Sequence, residues 1–268
     1  MFSPSPPPFL AGLFGFMTVL ALAVNPVPAA TKDAEAVRAP AVAIVVVAAA
    51  IDGDTLQLTD GRVLRLAAIL APKGAEPLAG AARAALTQTV GLPLRLEFGP
   101  RRTDRHGRLL AQAWLAFPDA GEQRWLQQML VEEGLARVAS TDDMRARVTE
   151  LLQLEAQARD AGRGLWGDPA YRVRTPVDAG QALDSFQIVE GRVQKAALVH
   201  GSGYLNFGAD YKTDFTLSFD DESLRLLRDS GVDFKSLEGA RLRARGWLRY
   251  FNGPLIDITH PEQIEVLP

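Results

Sequence analysis

Hydrophobic positions along this chain fall mostly in short alternating runs, interrupted by a few stretches of helical spacing. From Ala41 a β-rich run passes through Ile44-Val45-Val46-Val47 to Ile51 and on to Leu58. Within it Leu56 and Leu58 alternate with Gln57 and Thr59, the pattern of a half-buried strand. Asp60-Gly61 is a two-residue hairpin signal, and Arg62-Val63-Leu64-Arg65-Leu66 returns as the partner strand. Leu78 to Val90 has helical spacing, with Gly91 as its C-cap. Leu92 to Phe98 alternates again, and Gly107 turns the chain into a further strand from Leu109 to Leu115. Two helices are then predicted, Glu122 to Glu133 and Asp142 to Ala161, the second ending at Gly162-Arg163-Gly164-Leu165-Trp166. The pattern predicts five strands carrying three helices, with short connections.

After a linker at 176–185, rich in Pro, Gly and Ala, the alternation restarts. Strands are predicted at Phe186 to Val193, Tyr204 to Gly208 and Asp214 to Phe219, then a helix at Asp221 to Asp229 with Asp220 as N-cap. Arg241 to Arg249 and Pro254 to Thr259 complete the set. Three strands, a helix and two strands is the order of an OB barrel. The closing stretch, Arg245-Gly246-Trp247 through Asn252-Gly253-Pro254 to Ile264, resembles the last strands of bacterial OB-type modules.

The N-terminal end reads differently. Phe9 to Val24 is an apolar run of 16 residues, short against the roughly 20 that span a bilayer. Val27-Pro28-Ala29 and Pro28-Ala29-Ala30 offer small residues for cleavage. Met1 to Pro8 holds four prolines and no Lys or Arg, so an uncleaved anchor stays open beside a removed signal peptide. Residues 1–30 are read as one or the other, and 31–40 as a linker. The expectation is export across the cytoplasmic membrane, to the periplasm or beyond, or anchoring there. Membrane contact would run only through residues 9–24, if they are retained.

Composition narrows the chemistry. The 268 residues are 47% hydrophobic, enough for sizeable cores. Net charge is −3, with 17 basic against 16 acidic side chains over 41–175 and 10 against 13 over 181–268. Nucleic-acid binding by bulk charge is excluded, and any such binding rests on local patches. Cysteine is absent, which excludes disulfides, a thiol nucleophile and zinc–thiolate sites. His200 and His260 stand far apart in sequence and are read as metal ligands in neither case.

Candidate chemistry gathers between Ile51 and Arg108. Asp52-Gly53-Asp54-Thr55 ends an apolar strand, where carboxylates can hold a hard cation, and Arg65 and Arg108 can clamp a phosphate. These residues, with Ala71-Pro72, Asp104-Arg105-His106-Gly107-Arg108, Glu133-Gly134-Leu135-Ala136-Arg137-Val138, Glu155-Ala156-Gln157-Ala158-Arg159 and Gly164-Leu165-Trp166, resemble the thermonuclease (staphylococcal nuclease-like) family over about residues 44–170. The resemblance implies a five-stranded OB-type barrel with three helices. The fold expected is therefore mainly β with helices (α+β): that barrel over 41–175, then a second, smaller OB-like β-barrel over 186–268.

The family cleaves phosphodiesters with bound Ca²⁺, held by two Asp and a backbone carbonyl, while a Glu activates water and two Arg neutralise the phosphorane. Carried over by position, Asp54 is the first metal ligand, and Arg65 and Arg108 are the phosphate arginines. The second ligand falls on Leu70, which has no donor atom, and the base falls on Lys73, of opposite charge. Ala71 could still offer its carbonyl, and Glu76 lies three residues past Lys73 as a substitute base. Two readings of Lys73 stay open. Its ammonium can stand beside Asp54 and complete a cationic cradle with Arg65 and Arg108, or it can point to solvent while Asp54 caps a turn. Asp104 is read as fixing the turn that presents Arg108.

In the second domain Arg241, Arg243, Arg245, Trp247 and Arg249 share one face of a strand. That row suits single-stranded nucleic acid, or it is an outer barrel face paired with local carboxylates. The leading expectation is a protein that binds nucleic acid or another phosphate-bearing anion, with weak or no nuclease activity and no cofactor. Its rivals are an active DNA or RNA phosphodiesterase with Ca²⁺ and a substituted base or metal site, and an envelope scaffold.

Overall fold

The structure, a computed structural model, describes residues 42–116, 124–210 and 212–268. The signal or anchor, its 9–24 apolar run and the 31–40 linker lie outside these. Among the described residues no helix is long and apolar enough to cross a membrane. Pro40–Pro268 form one compact unit, built around two separate hydrophobic cores.

The first core fills a closed barrel of strands β1 (Val42–Ala50), β2 (Thr55–Leu58), β3 (Val63–Leu66), β5 (Pro93–Thr103) and β6 (Leu109–Leu115), in the order β1-β2-β3-β6-β5. Alternation explains the fill: Leu56, Leu58, Leu64, Leu66, Leu94 and Leu96 point inward, and all are buried. The β3–β6 pair is parallel, with Leu64 beside Leu109 and Arg65 beside Leu110, while Thr55 pairs with Arg65 across β2–β3. Asp54, Arg65 and Arg108 therefore stand together at the ends of three neighbouring strands.

A two-residue strand, β4 (Ile69–Leu70), leaves the barrel after Ala68, whose φ of 63° marks a sharp turn, and pairs with β7 (Arg137–Val138). Helix α1 (Ala79–Thr87) lies against the β1–β2 loop, and Gly53 is what permits it. A Cβ at Gly53 would stand 2.5 Å from the Ala82 Cβ and 2.8 Å from the Ala71 Cβ. The helix ends at Gln88 rather than at Gly91, whose φ of 80° serves the turn into β5.

Helix α2 (Leu126–Glu132) is pinned to the barrel by the buried Gln127, which donates to Ala111 O and Ala67 O and accepts from Ala113 N. The start expected at Glu122 lies outside the described residues. Helix α3 (Val148–Asp160) begins six residues later than its spacing implied. Arg147 sits at φ 61°, a conformation that no helix continues through, and Thr141–Met144 forms a turn instead.

The second core lies under a seven-stranded sheet rather than a fully closed barrel. Its members are β8 (Ser185–Arg192), β9 (Lys195–Val199), β10 (Ser202–Asn206), β11 (Thr216–Phe219), β12 (Arg241–Tyr250), β13 (Pro254–Ile258) and β14 (Ile264–Leu267), with helix α4 (Asp221–Asp229) after β11. The Asp220 carboxylate accepts from Ser223 N and caps α4 as the sequence implied. The pairings repeat the first barrel's connectivity: a parallel pair, β11–β13, joined through β12 to the strand that opens the module, β8. The path runs β14-β12-β13-β11-β10-β9 with β8 pairing β12 beside it, and β8 and β9, which follow each other in the chain, are not paired, so the ring is left open there. Strands β9 and β14 are additions to the predicted set.

The two cores meet along β7, α3 and β12. Arg137 donates to Phe186 O at 2.8 Å, Arg145 forms a two-point pair with Glu262 at 2.8 Å, and Ser140 Oγ lies 2.8 Å from His260 Nε2.

Candidate phosphate site of the first barrel

The β1–β2 loop folds on itself through Asp52, whose Oδ1 accepts from Asp54 N at 2.9 Å. That turn drives the Asp54 carboxylate inward, where it is 0% exposed. Three hydrogen bonds and an ion pair surround it. Oδ1 accepts from Thr55 Oγ1 at 3.0 Å and from Lys73 Nζ at 2.8 Å, and Oδ2 accepts from Ala71 N at 2.9 Å. An Arg65 terminal nitrogen lies 3.0 Å from Oδ2 as an ion pair.

Lys73 is thus the group beside Asp54, and its ammonium also bonds Asp52 Oδ2 at 2.6 Å. The solvent-pointing reading of Lys73 is set aside by these contacts. Burial pushes the Asp52 carboxyl upward, but the Lys73 ammonium and the Asp54 N–H outweigh it and bring its pKa to about 2. Asp52 was not singled out in the sequence as a partner of Lys73. The signal was present in the Asp-Gly-Asp spacing, which places two carboxylates either side of one tight turn.

Arg65 is mostly enclosed. Its terminal nitrogens donate to Leu66 O at 2.5 Å and Ile69 O at 2.6 Å, and one of them forms an ion pair with Asp54. Burial lowers its pKa, Asp54 opposes that, and the neighbouring Arg108 cation adds to it. Arg108 is more open. Asp104 accepts from Arg108 Nε at 2.7 Å and from the backbone N–H groups of His106 and Arg108 at 2.9 and 3.0 Å. It fixes the turn that presents Arg108, as the sequence implied. Among the described residues the terminal amino groups of Arg108 have no hydrogen-bond acceptor.

Leu70, as the sequence implied, offers no donor atom here, and its backbone pairs with Arg137. Two expectations about the rest of this loop need revision. Ala71 turns its N–H toward Asp54 rather than offering its carbonyl there. The Glu76 carboxylate accepts from Lys73 N at 2.9 Å, so it closes the loop's own turn. Ca²⁺ asks for about 6–8 oxygen ligands. The Asp52 and Asp54 carboxylates here are bridged by the Lys73 ammonium, and Asp54 also faces the Arg65 guanidinium, so this donor set does not fit the ion.

The arginine row of β12 has a different fate. Arg241 and Arg243 pair with Glu190 at 2.5 and 2.7 Å, and Arg249 pairs with Asp257 at 2.5 Å. Arg245 is 1% exposed and lies between Glu155 of α3 and Glu265 of β14, at 2.6 and 2.5 Å. Burial lowers its pKa, yet the two carboxylates prevail and hold it above the usual value. Trp247, 61% exposed, meets the edge of Phe186. The row matches the carboxylate-paired alternative, and its central member is a contact between the two cores.

The chain is 34% identical over 125 residues to Protein ParB of Escherichia coli, covering 44% of this chain and 70% of that protein. Residues 63–168 match the staphylococcal nuclease homologues, a stretch that contains Arg65, Lys73 and Arg108. Through the barrel that carries this site, the chain belongs to the staphylococcal nuclease homologue family.

Proposed function

We propose that the first barrel binds nucleic acid, or another phosphodiester-bearing anion, without a metal ion and with weak or no nuclease activity. The observation that carries this reading is the Lys73 ammonium, bonded to both Asp52 and Asp54 where a nuclease of this family would keep its cation. A fixed lysine charge neutralises the carboxylates without recruiting Ca²⁺. Arg108, with the exposed Arg105 in the same turn, supplies local positive charge that net composition lacks. Lys73, 40% exposed in its side chain, and Arg108, 29% exposed, can still meet a phosphate, while Arg65 braces them from behind.

Chemically, little of the hydrolytic machinery is in place. A positioned general base contributes about 10²–10⁴ in rate, and the residue at that position is Lys73. The apolar run at 9–24 and the small residues after it support an exported protein, acting on ligands outside the cytoplasm.

The test is cleavage and binding of single-stranded DNA and RNA by the purified protein, with Ca²⁺ and with EDTA. The expected outcome is retained binding in EDTA, weakened about tenfold by Arg108→Ala through loss of a charge-assisted contact, and no calcium-dependent cutting. Calcium-dependent cutting abolished by Arg65→Ala and Arg108→Ala would overturn the proposal in favour of an active phosphodiesterase.

A further inference from the structure

A second site of distinct chemistry lies on the other module. Register places Lys195, Asn206, Thr216 and Leu255 in one row across β9, β10, β11 and β13. Tyr204, two residues before Asn206, shares their face. Leu205, Leu217 and Ile256 point the opposite way and form the core, so the row lies on the outer side of the sheet. An outer face is ordinarily solvated and charged, as β12 is. This part instead floors a cavity of about 520 Å³, walled at one end by the β12–β13 hairpin with Phe251 and Asn252.

The lining has a definite character. Lys195 is its single charged residue, and among the described residues no carboxylate pairs with it. Phe251 is 56% exposed at the rim, with the Arg249 guanidinium over its ring at 5.5 Å, and Tyr204 lies partly buried on the floor. Beneath them Thr216 Oγ1 donates to Asn206 Oδ1 at 3.1 Å, which fixes the amide and leaves its NH₂ as the donor for a ligand. Aromatic surface, two amides (Asn206 and Asn252) and one unpaired cation, with no carboxylate in the lining, select a ligand that is flat, hydrogen-bonding and anionic. The volume lies within the 300–1,000 Å³ typical of small-ligand sites.

We propose that this cleft holds one nucleotide unit of a single-stranded nucleic acid. The base stacks on Tyr204 and Phe251, Asn206 bonds the base edge, and Lys195 meets the phosphate. A neutral sugar ring would also stack, but it would leave Lys195 without a counter-charge. The site is independent of Lys73 and Arg108, so either proposal can fail alone.

The experiment uses the full chain carrying Arg108→Glu, which removes the first barrel's outward cation, and titrates it with a short oligothymidylate, thymidine monophosphate and a neutral glucose oligosaccharide. Residual oligothymidylate binding is expected, weakened about tenfold by Phe251→Ala and by Lys195→Glu. Phe251 and Lys195 are exposed, so unchanged thermal unfolding is expected and separates lost binding from lost folding. Thymidine monophosphate should compete, and the oligosaccharide should not. Binding that ignores both substitutions, loss of all binding with Arg108→Glu alone, or preference for the oligosaccharide would each overturn the proposal.

Discussion

Lys73 and Arg245 each stand between two carboxylates, and the two clusters differ chiefly in how far water reaches the cation. Lys73 lies 2.6 Å from Asp52 and 2.8 Å from Asp54 at the mouth of the first barrel. Arg245 lies 2.6 Å from Glu155 and 2.5 Å from Glu265 where the two cores meet. The Lys73 side chain is 40% exposed and the Arg245 side chain 1%. At the junction, removing one partner strands a charge in a dry interior. At the barrel mouth, water reaches the place that Lys73 would leave, and the buried Asp54 keeps Thr55, Ala71 N and Arg65 as partners. The first arrangement therefore holds two modules together, and the second can exchange a protein contact for a ligand.

The largest effect is expected at the junction. Arg245→Ala leaves Glu155 buried with a weaker set of donors, and breaking such a pair typically costs about 3–5 kcal/mol. Urea unfolding should show that loss in full. A decrease below about 1 kcal/mol would mean that water reaches the junction and that the contrast with Lys73 is false. Replacing Arg245 and Glu155 together by apolar residues should restore much of the stability, because no charge is then left unpaired.

A somewhat smaller effect, confined in pH, is expected at His260. Its ring is enclosed between Ser140 Oγ at 2.8 Å and Thr259 Oγ1 at 2.9 Å, with Glu262, Arg145, Asp142 and Asp143 as the charged groups around it. Burial lowers its pKa from 6.5 to about 4, against the pull of Glu262. The unfolded chain takes up a proton near pH 6.5 and the folded one only near 4, so the unfolded state binds more protons between them. Stability from this group is intact above pH 6.5 and falls as pH drops toward 4, by at most about 3 kcal/mol. Unfolding free energies across that window should slope for the native protein and flatten in His260→Gln. Equal slopes would place the histidine in contact with water.

Much of this architecture was legible in the chain. Leu56, Leu58, Leu64 and Leu66 declared their strands because a half-buried strand must alternate, and Asp60-Gly61 declared the turn between them. The start of α3 was not legible, since nothing in the spacing from Asp142 to Arg147 reveals a left-handed Arg147. Arg245 was harder still. Its alternation with Leu242 and Ala244 predicted its face correctly, but solvent exposure depends on what packs there, and α3 arrives from 90 residues earlier in the chain. The Asp54–Lys73 contact lay within reach of the sequence as a reversal of charge at one position. The inward Ala71 N–H, the Glu76 turn and the enclosure of Arg65 depend on backbone direction, which side-chain pattern does not encode.

The smallest effect on stability, and the sharpest for function, belongs to Lys73. Because Lys73 itself is partly solvated and Asp54 keeps Thr55, Ala71 N and Arg65 as partners, Lys73→Gln should cost less than Arg245→Ala. Lys73→Glu should reverse the local chemistry, bringing a third carboxylate to Asp52 and Asp54 in place of their shared cation. Without metal these anions repel, so the variant should be less stable than Lys73→Gln. Adding Ca²⁺ should then raise its unfolding temperature by mass action, and saturation about 100-fold above Kd would correspond to about 2.7 kcal/mol. The native protein, with an ammonium already between the carboxylates, should show no calcium shift. If native protein and variant respond equally to Ca²⁺, the ion binds elsewhere or displaces Lys73 with ease, and the lysine is then a removable occupant of the site rather than its fixed charge.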